Sequence, residues 1–64
     1  MKFQIENMTC GGCARGVTRA IQTLDPAAEV EADTVARRIE VRTTADPKAV
    51  EAAIAGAGFT PVAI

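Results

Sequence analysis

A chain of 64 residues is one small domain, near the size at which about 60% of the unfolded chain's surface is buried and stability is marginal. Hydrophobic residues make up 48% of it, much of that alanine, and the only aromatics are Phe3 and Phe59, so area burial is modest and packing precision matters. Seven basic and eight acidic residues leave a formal charge of −1, which gives no electrostatic footprint for DNA or RNA. No apolar run approaches a membrane span, and the N-terminus enters a strand pattern without a basic-then-apolar leader. A soluble, cytoplasmic protein is expected, in a compartment whose reducing poise keeps cysteines as thiols.

In chain order, Phe3 and Ile5 alternate with Lys2, Gln4 and Glu6, the period of a half-buried strand. Met8-Thr9-Cys10-Gly11-Gly12-Cys13 follows. From Cys13, the residues Val17, Ala20, Ile21 and Leu24 recur at helical spacing, with Arg15, Thr18, Arg19 and Gln22 on the other side. Asp25-Pro26 stops that helix. Ala28, Val30 and Ala32, then Ile39 and Val41, alternate with charged residues and predict two strands joined by a hairpin through Asp33–Arg37. Asp46 suits an N-cap with Pro47 at the first helical position, Val50, Ala53, Ile54 and Ala57 make a second apolar stripe, and Gly58 fits a helix stop. Val62 and Ile64 flank Ala63 in a last short strand, which Pro61 assigns to a sheet edge. The order βαββαβ predicts an α+β, ferredoxin-like fold: a four-stranded antiparallel sheet with two helices on one face. Right-handed crossovers pair the first strand with the third and leave the second and fourth at the edges. Residues 1–64 are expected to form this one domain, without a repeat or a linker.

The two cysteines are the only ones in the chain, and there is no histidine. Structural zinc takes four Cys/His ligands, catalytic zinc usually three, and an iron–sulfur cluster four cysteines or two subunits sharing one. Two thiolates three residues apart can close on one soft ion, and thiolate favours Cu(I), which accepts two-coordinate geometry. Cys13 falls in the first helical turn, where unsatisfied N–H groups and the positive end of the dipole favour a thiolate. Gly11 and Gly12 are expected to supply the backbone freedom that lets the sulfurs converge. The competing reading is a redox dithiol, although the Trp-Cys-Gly-Pro-Cys pattern is absent and no general base is visible, so such an enzyme would rest on thiol exchange alone. Hg(II), which also accepts two thiolates, is a further option.

Met-Thr-Cys-Gly-Gly-Cys at the end of the first strand of a βαββαβ chain resembles the heavy-metal-associated domain family, and the resemblance covers essentially the whole chain. That family includes soluble copper chaperones and the N-terminal modules of copper-transporting P-type ATPases. The resemblance implies a non-enzymatic carrier: Cu(I) held between Cys10 and Cys13 and handed to a similar partner through mixed three-coordinate intermediates, with a copper-bridged homodimer as an option. Zinc and cadmium relatives commonly carry an acidic residue beside the motif; Asn7-Met8-Thr9 here favours copper. Many chaperones of the family carry lysine or tyrosine in the loop before the last strand, where this chain has Gly58-Phe59, as ATPase modules do. A chain running from Met1-Lys2 to Ile64 reads nonetheless as a free-standing protein.

Around the ligands, Met8 is read as core support beneath the loop rather than as a thioether ligand. Thr9 is expected to hydrogen-bond the turning backbone. Phe59 is either a shield for the metal or a second core aromatic. Arg15 and Arg19, spaced i to i+4, either meet an acidic partner surface or form an ordinary solvated face. Gly16, inside a helix, costs about 1 kcal/mol relative to alanine, and room for a close neighbour is the only account the sequence offers for it. The apolar stripes exist without any ion, so the metal-free chain is expected to fold.

Overall fold

The short alternation at the N-terminus forms β1 (Lys2–Ile5), whose Phe3 and Ile5 point into the core while Lys2 is exposed and Gln4 half-buried. The computed structural model describes every residue from Met1 to Ile64. A turn through Glu6 and Asn7 leads into α1 (Gly11–Leu24), and β2 (Glu29–Asp33), β3 (Arg38–Arg42), α2 (Pro47–Gly56) and β4 (Pro61–Ala63) complete the order expected from the sequence. The sheet runs β2-β3-β1-β4, with every pairing antiparallel. β1 and β3 are therefore central and β2 and β4 are edges, so Pro61 costs the sheet no ladder bond that a central strand would need.

The core is one apolar cluster of ten buried residues. Phe3, Ile5, Ile39 and Val41 come from the sheet, Val17 and Ile21 from α1, and Val50 and Ile54 from α2; Met8 and Ala28 close the two ends. No polar or charged side chain is buried with them. Core aromatics number one fully buried ring, Phe3, so the cluster depends on interlocking branched aliphatics. At the far end of α1, Thr43 donates a hydrogen bond to the Asp25 carboxylate and accepts one from Ala45 N–H, tying the first helix to the end of β3.

Local chemistry explains the connections. Asp46 caps α2 by accepting from Lys48 N–H at 2.9 Å, with Pro47 just inside the helix. In the hairpin, Asp33 Oδ1 accepts from both Val35 N–H and Ala36 N–H, an Asx turn, and Arg37 adopts φ +58° before β3 begins. Gly58 leaves α2 at φ +94°, the left-handed conformation that glycine adopts without steric cost.

Two details differ from the sequence expectation. Val62 and Ile64 are 54% and 61% exposed, because β4 pairs Ile5 with Pro61 and Phe3 with Ala63, which puts Pro61 and Ala63 on the core side. Leu24, at the last position of the α1 stripe, is 42% exposed.

Candidate metal site

β1 runs toward the motif, and both β3 and β4 run away from it. The Asp33–Arg37 hairpin and the Ala57–Thr60 loop therefore lie at the same end of the molecule as the cysteines. The approach is built in steps. Ile5 N–H donates to the Arg37 carbonyl at 2.7 Å, and Met8 N–H donates back to the Ile5 carbonyl at 3.1 Å, closing the turn over Glu6 and Asn7. Met8 then drops its side chain into the core, fully buried. Thr9 and Cys10 emerge exposed beyond it.

Cys10 is the N-cap of α1. Its backbone is extended (φ −145°, ψ 166°), its carbonyl accepts the first helical bond from Ala14 N–H at 3.1 Å, and its sulfur accepts from Cys13 N–H at 3.3 Å. Cap and third helical residue face each other over one helix end, the same relation that lets a capping-box side chain reach its partner. The sulfurs converge for that reason and lie 2.9 Å apart, both as free thiols. The cap is the Cys10 sulfur and not the Thr9 hydroxyl.

The expectation for Gly11 and Gly12 needs correction. Both are ordinary α-helical residues and neither adopts positive φ. Helix geometry, not loop freedom, brings the sulfurs together. What the glycines leave out is side-chain bulk: a Cβ at Gly11 would meet nothing within 4 Å, and one at Gly12 would stand 3.8 Å from Cys10 Sγ and 3.9 Å from Arg15 Nη2. The rim beside the sulfurs stays bare.

The electrostatics favour a thiolate at Cys10. Its pKa is lowered first by the hydrogen bond with the Cys13 thiol, then by Cys13 N–H and Gly12 N–H, with a smaller contribution from the Arg15 guanidinium. No acid lies in the first turn of α1, and no ion pair involves Arg15 or Arg19, which stay exposed along the helix face they share with Gly12 and Gly16. No third Cys, His, Asp or Glu joins the two cysteines. The donor set therefore suits a soft ion that accepts two sulfurs.

Phe59 is half-buried and packs against the core from the Ala57–Thr60 loop. Its ring lies beside Gly16, where a Cβ would meet Phe59 Cε2 at 3.8 Å, an ordinary contact. Asn7, which the sequence reading used only as a non-acidic neighbour of the motif, spans from the metal loop to this second loop. Its Nδ2 donates to the Gly58 carbonyl at 3.2 Å, and its Oδ1 accepts from Thr60 N–H at 3.3 Å. Glu6 likewise pairs with Arg37 at 3.3 Å. Asparagine at a turn corner is a local signal; the partners, some fifty residues away, leave none in the sequence.

The fold and this site agree with what comparison finds. The heavy-metal-associated domain family matches residues 2–60, and the chain belongs to that family. Among solved structures, a gold binding protein is 44% identical, with a TM-score of 0.92 over 95% of this chain and 94% of that one. A copper chaperone from Synechocystis is 26% identical, with a TM-score of 0.94 over 97% and 98%. A protein from Agrobacterium tumefaciens is 37% identical, with a TM-score of 0.88 over 97% of each chain. No curated protein matches the chain in sequence. No helix is long and apolar enough to cross a membrane.

Proposed function

We propose that this domain is a cytoplasmic Cu(I) carrier, without catalytic turnover, that binds one ion between the Cys10 and Cys13 thiolates and delivers it to a partner. The observation that carries the reading is the pairing of two converging sulfurs at an exposed helix N-terminus with the absence of any third ligand. A metal–thiolate bond of about 2.3 Å would part the sulfurs from their 2.9 Å contact as the ion enters, and the dipole of α1 offsets the negative charge of the two-thiolate unit.

Exposure then sets the mode of release. An incoming partner thiolate bonds to Cu(I) and forms a three-coordinate bridge. One bond to Cys10 or Cys13 breaks, and the freed sulfur is left as a thiolate that can take a proton. Copper stays Cu(I) throughout, and no electron moves. A copper-transporting P-type ATPase, or its own domain of this family, is the partner this chemistry suits, with Arg15 and Arg19 facing an acidic surface. Thr9, Gly11 and Gly12 form the bare rim such a partner approaches, Met8 supports it, and Phe59 flanks it.

Anaerobic titration with Cu(I) against a competing chelator tests this. One tight equivalent per chain is expected, lost in both Cys10→Ser and Cys13→Ser while each stays folded. Half an equivalent would report two copies sharing an ion through four thiolates. No binding, with ready formation of a Cys10–Cys13 disulfide, would favour the redox dithiol.

A second reading has its own support. The 44% identity to a gold binding protein exceeds the 26% to the copper chaperone, and Au(I), like Hg(II), is a soft ion for which two thiolates suffice. Competition of Au(I) and Hg(II) against the Cu(I)-loaded protein separates these ions.

A further inference from the structure

Three consecutive residues ahead of the cysteines are anchored in three directions. Glu6 reaches the Arg37 guanidinium of the hairpin, and Met8 is sunk in the core. Asn7, between them, is exposed and uses both ends of its carboxamide on the backbone groups that flank Phe59. The amides of Ala57, Gly58 and Phe59 all return to α2, so Asn7 supplies the side-chain tie between their loop and the metal loop, ahead of the β4–β1 pairing that begins at Pro61. The Phe59 ring in turn lies beside α1 at Gly16, three residues beyond Cys13. A continuous path therefore runs from the turn before Cys10, through the carboxamide and the ring, to the helix that carries Cys13.

We infer that Asn7 is a positioning residue for the metal site. Its carboxamide holds the Phe59 loop against α1, which fixes the turn before Cys10 and the helix bearing Cys13 in one frame. With both sides fixed, only Thr9 stands between the clamped turn and the Cys10 cap of the helix, and the thiolates meet an ion already converged instead of being ordered by it. Cutting the clamp returns that ordering to the binding step and loosens the bound ion. The effect on the ion rests on the Cu(I) carrier reading; the effect on the sulfurs does not.

The test uses the full chain as wild type, Asn7→Ala, Phe59→Ala and the double variant. In the Cu(I)-loaded proteins, the rate of Cu(I) loss to bathocuproine disulfonate is expected to rise roughly tenfold in Asn7→Ala, the scale of losing two exposed hydrogen bonds. In the Phe59→Ala background the same substitution should change the rate less than twofold. A purely structural role would lower the melting temperature equally in both backgrounds and leave the rate of Cu(I) loss unmoved, and that result overturns the inference. In the metal-free proteins, iodoacetamide should modify Cys13 several-fold faster in Asn7→Ala than in wild type. If wild type takes no Cu(I), the carrier reading falls alone, and an unchanged alkylation rate then overturns this inference separately. Asn7→Asp keeps the acceptor for Thr60 N–H and loses the donor to Gly58, so it should fall between wild type and Asn7→Ala and serves if the alanine variant fails to fold.

Discussion

Replacing Gly16 by alanine should stabilise this protein, although glycine there sits close to an aromatic ring. Gly16 lies inside α1, half-buried, with φ in the ordinary helical range. A Cβ added there meets Phe59 Cε2 at 3.8 Å, which is normal van der Waals contact and demands no shift. Glycine costs a helix interior about 1 kcal/mol relative to alanine, chiefly through the freedom it gives the unfolded chain. The added methyl also packs on the ring, contributing part of the roughly 0.8 kcal/mol of a fully buried carbon. A net gain of about 1 kcal/mol corresponds to a rise of roughly 4–8 °C in melting temperature for a domain of this size. Gly58 is the internal control: a Cβ there meets nothing within 4 Å, but its φ of +94° is left-handed, so Gly58→Ala should lose about 1 kcal/mol through backbone strain alone. Thermal unfolding of the reduced, metal-free variants by circular dichroism measures both. A Gly16→Ala protein that melts at or below the wild-type temperature would refute the reasoning, and would mean that the Phe59 loop presses on α1 more tightly than 3.8 Å allows.

Two further outcomes follow from the charge around the site. The folded protein holds Cys10 below the ordinary thiol pKa, so the thiolate is favoured in the folded state; that contribution to stability is complete above the unfolded thiol pKa and is lost as pH falls through the lower, folded value. Thiolate absorbance against pH should therefore rise earlier for the folded protein than for a denatured one, and Arg15→Ala should move the Cys10 step slightly back toward higher pH by removing the weakest of its stabilising influences, while a step that does not move would remove Arg15 from the account. If Arg15 and Arg19 steer a partner, reversing both to glutamate should slow Cu(I) transfer to an acidic acceptor domain roughly tenfold at low salt. Physiological ionic strength, with a screening length of about 8 Å, should narrow the difference, and equal rates at all salt concentrations would leave the two arginines as a solvated face.

Much of the architecture was legible because each element carries its own local signal. Phe3 and Ile5 mark a strand by alternation, Val17 and Ile21 a helix by spacing, Asp46-Pro47 a helix start, and Pro61 an edge; the observed order β2-β3-β1-β4 agrees with all of them. Alternation alone does not say which face is buried, and for β4 the answer came from pairing: Ile5 opposite Pro61 turns Val62 outward. At the site, the residue types and their spacing pointed to soft-metal chemistry, but the reason for the spacing lay in backbone geometry. Cys10 is a cap and Cys13 the third helical residue, so Gly11 and Gly12 are helical and their flexibility goes unused. The Asn7 contacts span 51 and 53 residues, and no periodicity or local propensity encodes a contact at that distance.

A carrier of a tightly held ion has two needs that pull against each other, since binding wants the ligands fixed beforehand and handover wants them open to attack. The chain separates these needs along five consecutive residues. Glu6, Asn7 and Met8 are held by the hairpin, the Phe59 loop and the core, while Thr9 and Cys10 stand exposed immediately beyond them. The helix then begins on two glycines, which add nothing to the rim that an approaching thiolate must cross. Cys13 is half-buried and packed against the core, while Cys10 is exposed with its thiolate favoured, so on the proposed carrier reading Cys10 is the sulfur a partner would meet first. Rigidity at the base and exposure at the tip therefore come from different residues, and on the proposed reading substitutions at Asn7 or Phe59 are expected to change the exchange rate without altering either cysteine.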